Sequence, residues 1–150
     1  MDTTQLPPDF REFLKLLNKH DARYLVVGGY AVGFHGYPRT TADLDVWVSA
    51  TPENAARVVA ALKAFGFASA AEVEPLLSSP GKLVRMGVPP LRLELLTSIS
   101  GVQFETCYPR RAVLDSGDLL IDVISLHDLR TNKVAAGRDR DRDDLSHLPS

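Results

Sequence analysis

The chain has 150 residues, 45% of them apolar and 24% charged, and a formal net charge of −2. That length and composition suit one globular domain, residues 1–150, with its own core, and exclude a disordered or fibrous chain. The small net charge excludes a global pull on nucleic acid, while a local basic patch stays compatible with it.

In chain order, residues 1–8 read as loose. Pro8 opens a first helix over Asp9 to Asn18, with Phe10, Phe13, Leu14 and Leu17 recurring on one face. Tyr24 to Val27 is a short buried strand, Tyr30 to His35 a short helix stopped by Gly36-Tyr37-Pro38, and Leu44 to Val48 a second strand. His35 reads as a cap of that short helix. Thr51 is the N-cap of the next helix, Pro52 its first position and Gly66 its stop. Ala70 to Leu77 is a further short helix.

Leu83 to Met86 and Leu91 to Leu96 read as strands joined through Gly87-Val88-Pro89-Pro90. Phe104 to Tyr108 has no clear period. Arg111 to Leu114 and Leu119 to Val123 are strands around a turn at Asp115-Ser116-Gly117-Asp118. Ser125 and Asp128 resemble a capping box for a helix that stops at Gly137. The tail RDRDRDDLSHL is charged, with an apolar edge at Leu145 and Leu148. Strands joined partly directly and partly through helices argue for an α+β fold, a mixed sheet flanked by helices.

Cys107 is the single cysteine, which excludes an intramolecular disulfide and reads as a buried free thiol of a cytoplasmic protein. MDTTQLPPDF has no basic stretch followed by an apolar one, so it does not read as a signal peptide. No apolar run approaches the length of about 18 residues that reads as a membrane span, and no membrane partner is expected. His127 and His147 lack partners at zinc spacing.

The chemistry concentrates in LVVGGYAVGFHGYPRTTADLDVWV, Leu25 to Val48. Side chains of a strand alternate, so Asp43, Asp45 and Trp47 share one face and Leu44, Val46 and Val48 the other, which packs on the core. Two carboxylates so placed repel unless a positive charge sits between them. Mg²⁺ is the usual answer, held by one or two carboxylates and substrate phosphates. Surface decoration of a solvent-facing edge strand is the alternative. Trp47 is expected to pack.

Gly28-Gly29 follow a buried strand and precede a short helix. They let backbone approach a ligand, and their N–H groups suit a phosphate. A plain tight turn is the other reading. The spacing is neither a P-loop nor a dinucleotide fingerprint. Glu94, in LRLELLTSIS, is the candidate third acid. It shares a face with Arg92 and Leu96, and an exposed ion pair with Arg92 is its alternative. Arg39 and Thr40-Thr41, just before the aspartates, are placed to reach phosphate or to orient the strand.

Gly28-Gly29, Asp43-x-Asp45 and Glu94 together resemble the nucleotidyltransferase superfamily with the DNA polymerase beta-like fold. The wider GGYAVGFHGYPRTTADLDV and NKVAAGRDRDRDDLSHL are similar to minimal bacterial nucleotidyltransferases, including proteins related to AbiEii-type toxins. The resemblance covers about residues 20–148. It departs at the third acid, often Asp and here Glu94.

The resemblance implies Mg²⁺ or Mn²⁺ on Asp43, Asp45 and Glu94. It implies an NTP held by Gly28, Gly29, Arg39, Thr40, Lys133 and Arg138, and an NMP moved to an RNA, protein or small-molecule acceptor. Lys133 otherwise lies on the wet face of its helix, and Arg138 and Asp144 otherwise pair with each other. A role in toxin–antitoxin or phage-defence biology, with a separate antitoxin protein, belongs to the same expectation. A catalytically weak or inactive nucleotide-binding or partner-binding module of this fold is the alternative.

Overall fold

The computed structural model describes residues 6–88 and 91–150. Helix α1, Pro8–Lys19, buries Phe10, Phe13, Leu14 and Leu17, the stripe that the three-and-four spacing dictates. Leu6, within the stretch expected to be loose, is buried in the core. The chain reverses at Asp21, whose φ is 56°, and enters β1, Tyr24–Val27, with all four residues buried.

Helix α2 spans Gly28–Phe34, so it begins at the glycines rather than at Tyr30. Strand β2 is Asp43–Val48, one residue longer at its start than the apolar run suggested. Helix α3, Pro52–Phe65, has the Thr51 hydroxyl accepting from the Asn54 N–H and Gly66 in left-handed conformation at its end. A 3₁₀ turn at Ala70–Val73 and the single-turn α4, Glu74–Leu77, follow.

Strand β3 is Leu83–Val88 and β4 is Leu91–Leu96, so Gly87 and Val88 continue the strand instead of joining the connection. The expected Pro89-Pro90 turn lies outside the described residues. Phe104–Cys107 is a short helix, α5, continued by a 3₁₀ turn at Tyr108–Arg110. Strands β5, Ala112–Asp115, and β6, Leu120–Val123, form a hairpin.

Helix α6, Leu126–Ala136, is capped by the Ser125 hydroxyl and stopped by Gly137. Asp128 does not return the bond of a capping box; Arg110 holds its carboxylate at 2.6 and 2.8 Å. The charged tail is helical: α7 spans Asp139–His147. Charge patterning hid this helix, because the residues it buries are Asp141 and Asp144 rather than an apolar stripe.

The strands form one mixed six-stranded sheet in the order β3-β4-β2-β1-β6-β5. β1 runs antiparallel to β2 and parallel to β6, and β2 runs parallel to β4. β2 is therefore interior, and its aspartates do not sit on an edge. Leu44, Val46 and Val48 are fully buried, as period two requires. Trp47, on the other face, is buried too and meets Phe104 edge-to-face at 5.2 Å. The fold is α+β, a mixed sheet flanked by helices. No helix among the described residues is long and apolar enough to cross a membrane.

Buried Asn54 ties the start of α3 to the ends of β1 and β2. Its Oδ1 accepts from the Arg23 N–H at 2.7 Å, and its Nδ2 donates to the carbonyls of Arg23 and Ser49, each at 3.0 Å. Asn54→Ala leaves those buried backbone groups unpaired, so unfolding in urea is expected to show a loss of about 2–3 kcal/mol. An unchanged midpoint would show that water replaces the amide without cost.

Candidate functional site

Register builds the site. The parallel pairing of β2 with β4 sets Asp43 opposite Arg92 and Asp45 opposite Glu94. The antiparallel pairing of β3 with β4 sets Arg85 opposite Glu94. On the other side Val27, the last residue of β1, stands opposite Asp45, so the chain turns at Gly28 beside that carboxylate. A Cβ on Gly28 would lie 2.1 Å from Asp45 Oδ2, and the residue's φ is +67°. A Cβ on Gly29 would lie 3.0 Å from Thr41 Oγ1. The glycine pair is there because side chains of β2 and of the loop before it occupy the space.

A groove of about 820 Å³ opens above these residues. Gly28, Gly29, Asp43, Asp45 and Glu94 all line it. Leu83, Leu96 and Ile99 give it one apolar wall, and the first turn of α7 and the end of α6 border it with cations.

The acids are not equivalent. Asp43 is gripped in two-pronged fashion by Arg92, Nε to Oδ1 at 3.0 Å and Nη2 to Oδ2 at 3.2 Å. Glu94 accepts from Arg85 Nε at 2.9 Å, not from Arg92. Asp45 Oδ1 is buried without a hydrogen-bond partner. Burial pushes the Asp45 carboxyl up to about 7, assisted by the hydrogen bond and charge of Glu94 and by the charge of Asp43, with Arg140 opposing. Among the described residues, no three His, Cys, Asp or Glu side chains are arranged to hold a metal ion.

A second charged group closes the groove from the α6–α7 side. Lys133 is buried, and its Nζ lies 2.9 Å from Asp141 Oδ1 and 3.0 Å from Asp144 Oδ2. Arg39 takes both oxygens of Asp144, at 2.9 and 3.1 Å. Arg138 takes both oxygens of Asp141, at 2.7 and 3.2 Å. Burial alone raises the Asp141 carboxyl, but Arg138 and Lys133 outweigh it and hold the group well below the usual carboxylate range. This network pins α7 and the loop before β2 to α6.

The expected residues are therefore divided. The structure brings Asp43, Asp45, Glu94, Gly28 and Gly29 to one groove. Arg39, Lys133 and Arg138 also line it, but their charged ends are committed to Asp141 and Asp144. Lys133 is not on a wet face, and Arg138 pairs with Asp141 rather than Asp144. Thr40 is exposed and does not line the groove; its neighbour Thr41 does, donating to the Asp43 carbonyl at 3.3 Å.

Sequence reasoning missed Arg85, Arg140 and the pairing of Arg92 with Asp43. Alternation along β4 places Arg92 and Glu94 on one face, but only cross-strand register says which acid meets which arginine. Arg140 carries no signal in the sequence beyond one basic residue in a charged run. No family model matches the sequence, and no curated protein matches it.

Two outcomes follow from these charges. Asp45 gives up its proton at about 4 in the unfolded chain and at about 7 in the fold. Between those values the native state holds a proton the unfolded chain has released, so this residue makes stability fall as pH rises. Melting curves from pH 4 to pH 8 are expected to show that fall, and Asp45→Asn to remove this residue's part of it. A variant with the wild-type slope would refute the assignment. Lys133→Met removes the shared cation between Asp141 and Asp144, which keep Arg138 and Arg39, so urea unfolding is expected to lose about 1.5–3 kcal/mol, the worth of a hydrogen bond to a charged group.

Proposed function

We propose that the groove is a nucleotidyl-transfer site of the DNA polymerase beta-like kind, moving an NMP from an NTP to a hydroxyl of an RNA, protein or small-molecule acceptor. The observation that carries the reading is the convergence of Gly28, Asp43, Asp45 and Glu94 on one groove through the β1–β2–β4 register. Three carboxylates from adjacent strands share a face, and one of them keeps an unpartnered buried oxygen.

The donor type suits a hard divalent cation, although among the described residues no three such side chains are arranged around one. All the donors are carboxylate oxygens, and burial, assisted by the neighbouring Glu94 and Asp43, already raises the proton affinity of Asp45. Asp43 and Asp45 would hold Mg²⁺ or Mn²⁺, with Glu94 on the acceptor side. When bound, that ion supplies Lewis-acid stabilisation of charge on the phosphate oxygens.

The chain's own residues do the rest. Gly28 and Gly29 line the groove where the polyphosphate would lie, and their missing Cβ atoms leave room for the side chains of Asp45 and Thr41 beside it. Leu83, Leu96 and Ile99 offer an apolar wall to the nucleoside. Glu94 accepts the proton of the attacking hydroxyl. The acceptor oxygen bonds the α-phosphorus as its bond to pyrophosphate breaks. The Lys133 network keeps α7 and the loop at Arg39 seated on the groove while this happens. A place in toxin–antitoxin or phage-defence biology, with a separate antitoxin protein, is part of the proposal through the resemblance of the motifs.

Incubation with each labelled NTP, Mg²⁺ or Mn²⁺, total RNA and total protein is the test. Label is expected to appear in one acceptor fraction and to fall by about a hundredfold or more in Asp43→Asn and Asp45→Asn, in line with loss of charge stabilisation at a transferred phosphoryl group. The arginine pairs on Asp43 and Glu94 favour a second reading, a nucleotide-binding module that transfers nothing. Nucleotide-dependent change in melting temperature or in Trp47 fluorescence, without transfer to any fraction, would select it.

A further inference from the structure

The cations around the groove fall into two classes. Lys133, Asp141 and Asp144 are buried to within 4% exposure of their side chains, and that network cannot open without stranding charge. The Arg92–Asp43 and Arg85–Glu94 pairs are different. Their side chains are 33% and 27% exposed in the first pair, and 52% and 15% in the second. Such half-wet pairs hold weakly, and each partner is easily exchanged for another of the same sign. Arg140, at the start of α7, lines the groove with no ion-pair or hydrogen-bond partner among the described residues.

We infer that the groove takes a divalent cation and a polyphosphate as one unit, by exchange of ion pairs. Arg92 and Arg85 leave Asp43 and Glu94 for phosphate oxygens as the cation takes the carboxylates, and Arg140 adds a third contact to the anion. The inference rests on the reading of this groove as a nucleotide site, and it deepens that reading by naming the bound species and its arginine ligands.

The charge arithmetic is local. A cation arriving alone evicts two arginines and then faces them as like charges. A polyanion arriving alone takes the arginines and leaves Asp43, Asp45 and Glu94 facing it unneutralised. Together, the cation offsets most of the charge of the acids and the arginines most of that of the anion, so neither is left facing only like charge. Guanidinium suits the exchange because its planar fork takes a phosphate as readily as it takes a carboxylate. No backbone movement is required, since Arg85, Arg92 and both acids project from neighbouring strands of one sheet face.

Exchange has a signature of opposite signs. With the full-length chain, Mn²⁺ alone is titrated by the loss of its free spin-resonance signal, and preformed Mg²⁺–tripolyphosphate by calorimetry. Arg92→Gln is expected to tighten Mn²⁺ by about fivefold, the worth of a released exposed ion pair, and to weaken Mg²⁺–tripolyphosphate by at least as much. Arg85→Gln is expected to act in the same two directions. Arg140→Gln, which breaks no ion pair on an acid, is expected to weaken the tripolyphosphate complex and to change Mn²⁺ affinity by less than the other two variants, through loss of its charge near Asp45 alone.

If both ligands weaken together in the Arg92 and Arg85 variants, the arginines serve only to order the strands, and the exchange is wrong. Unchanged affinities overturn it equally. The two proposals fail separately. Opposite-sign shifts with no transfer from any NTP leave the exchange standing and remove the enzyme. Transfer with same-sign shifts does the reverse.

Discussion

Five residue pairs between β2 and β4, from Asp43 with Arg92 to Trp47 with Leu96, run parallel and in step. Almost everything about the groove depends on that register. Because side chains alternate, a slip of one residue would turn Leu93 or Leu95 toward the aspartates and send Glu94 into the core. The register is protected from the far side, where Leu44, Val46, Leu93 and Leu95 are buried together. Burial of that apolar face holds the polar face in place.

The polar face then has to live with its own charge. Three carboxylates and two arginines on adjacent strands can settle their field internally, and two of the acids do. Asp45 does not, since its Oδ1 is buried without a partner and Gly28 is pressed against the carboxylate. Its raised proton affinity comes from burial first and from the neighbouring Glu94 and Asp43 second. Natural chains tolerate such frustration mainly where a ligand relieves it. Elsewhere, Asn54 and the Lys133 network pair their buried polar groups with backbone and with opposite charge.

The tail shows how far a pattern can mislead. RDRDRDDLSHL has the look of a solvated charge run, yet Asp141 and Asp144 are fully buried within it. Their partners, Lys133 and Arg39, lie 8 and 105 residues away. Spacing within the run says nothing of either, so Arg138 and Asp144 suggested each other instead. Likewise Thr40 and Thr41 are adjacent and chemically identical in sequence. The turn before β2 alone decides that Thr41 faces Gly29.

What the sequence determined by itself is local and periodic. The alternation in Asp43 to Val48 separated a core face from a charged one, the capping residues Thr51, Ser125, Gly66 and Gly137 bounded their helices, and the glycine pair marked a close approach of backbone. These follow from geometry within a few residues. The tertiary structure decided which charges meet. Pairing of Arg92 with Asp43, Arg85 with Glu94, and Lys133 with two buried aspartates depends on strand order and helix docking, and Coulomb energy follows distance in space rather than position along the chain.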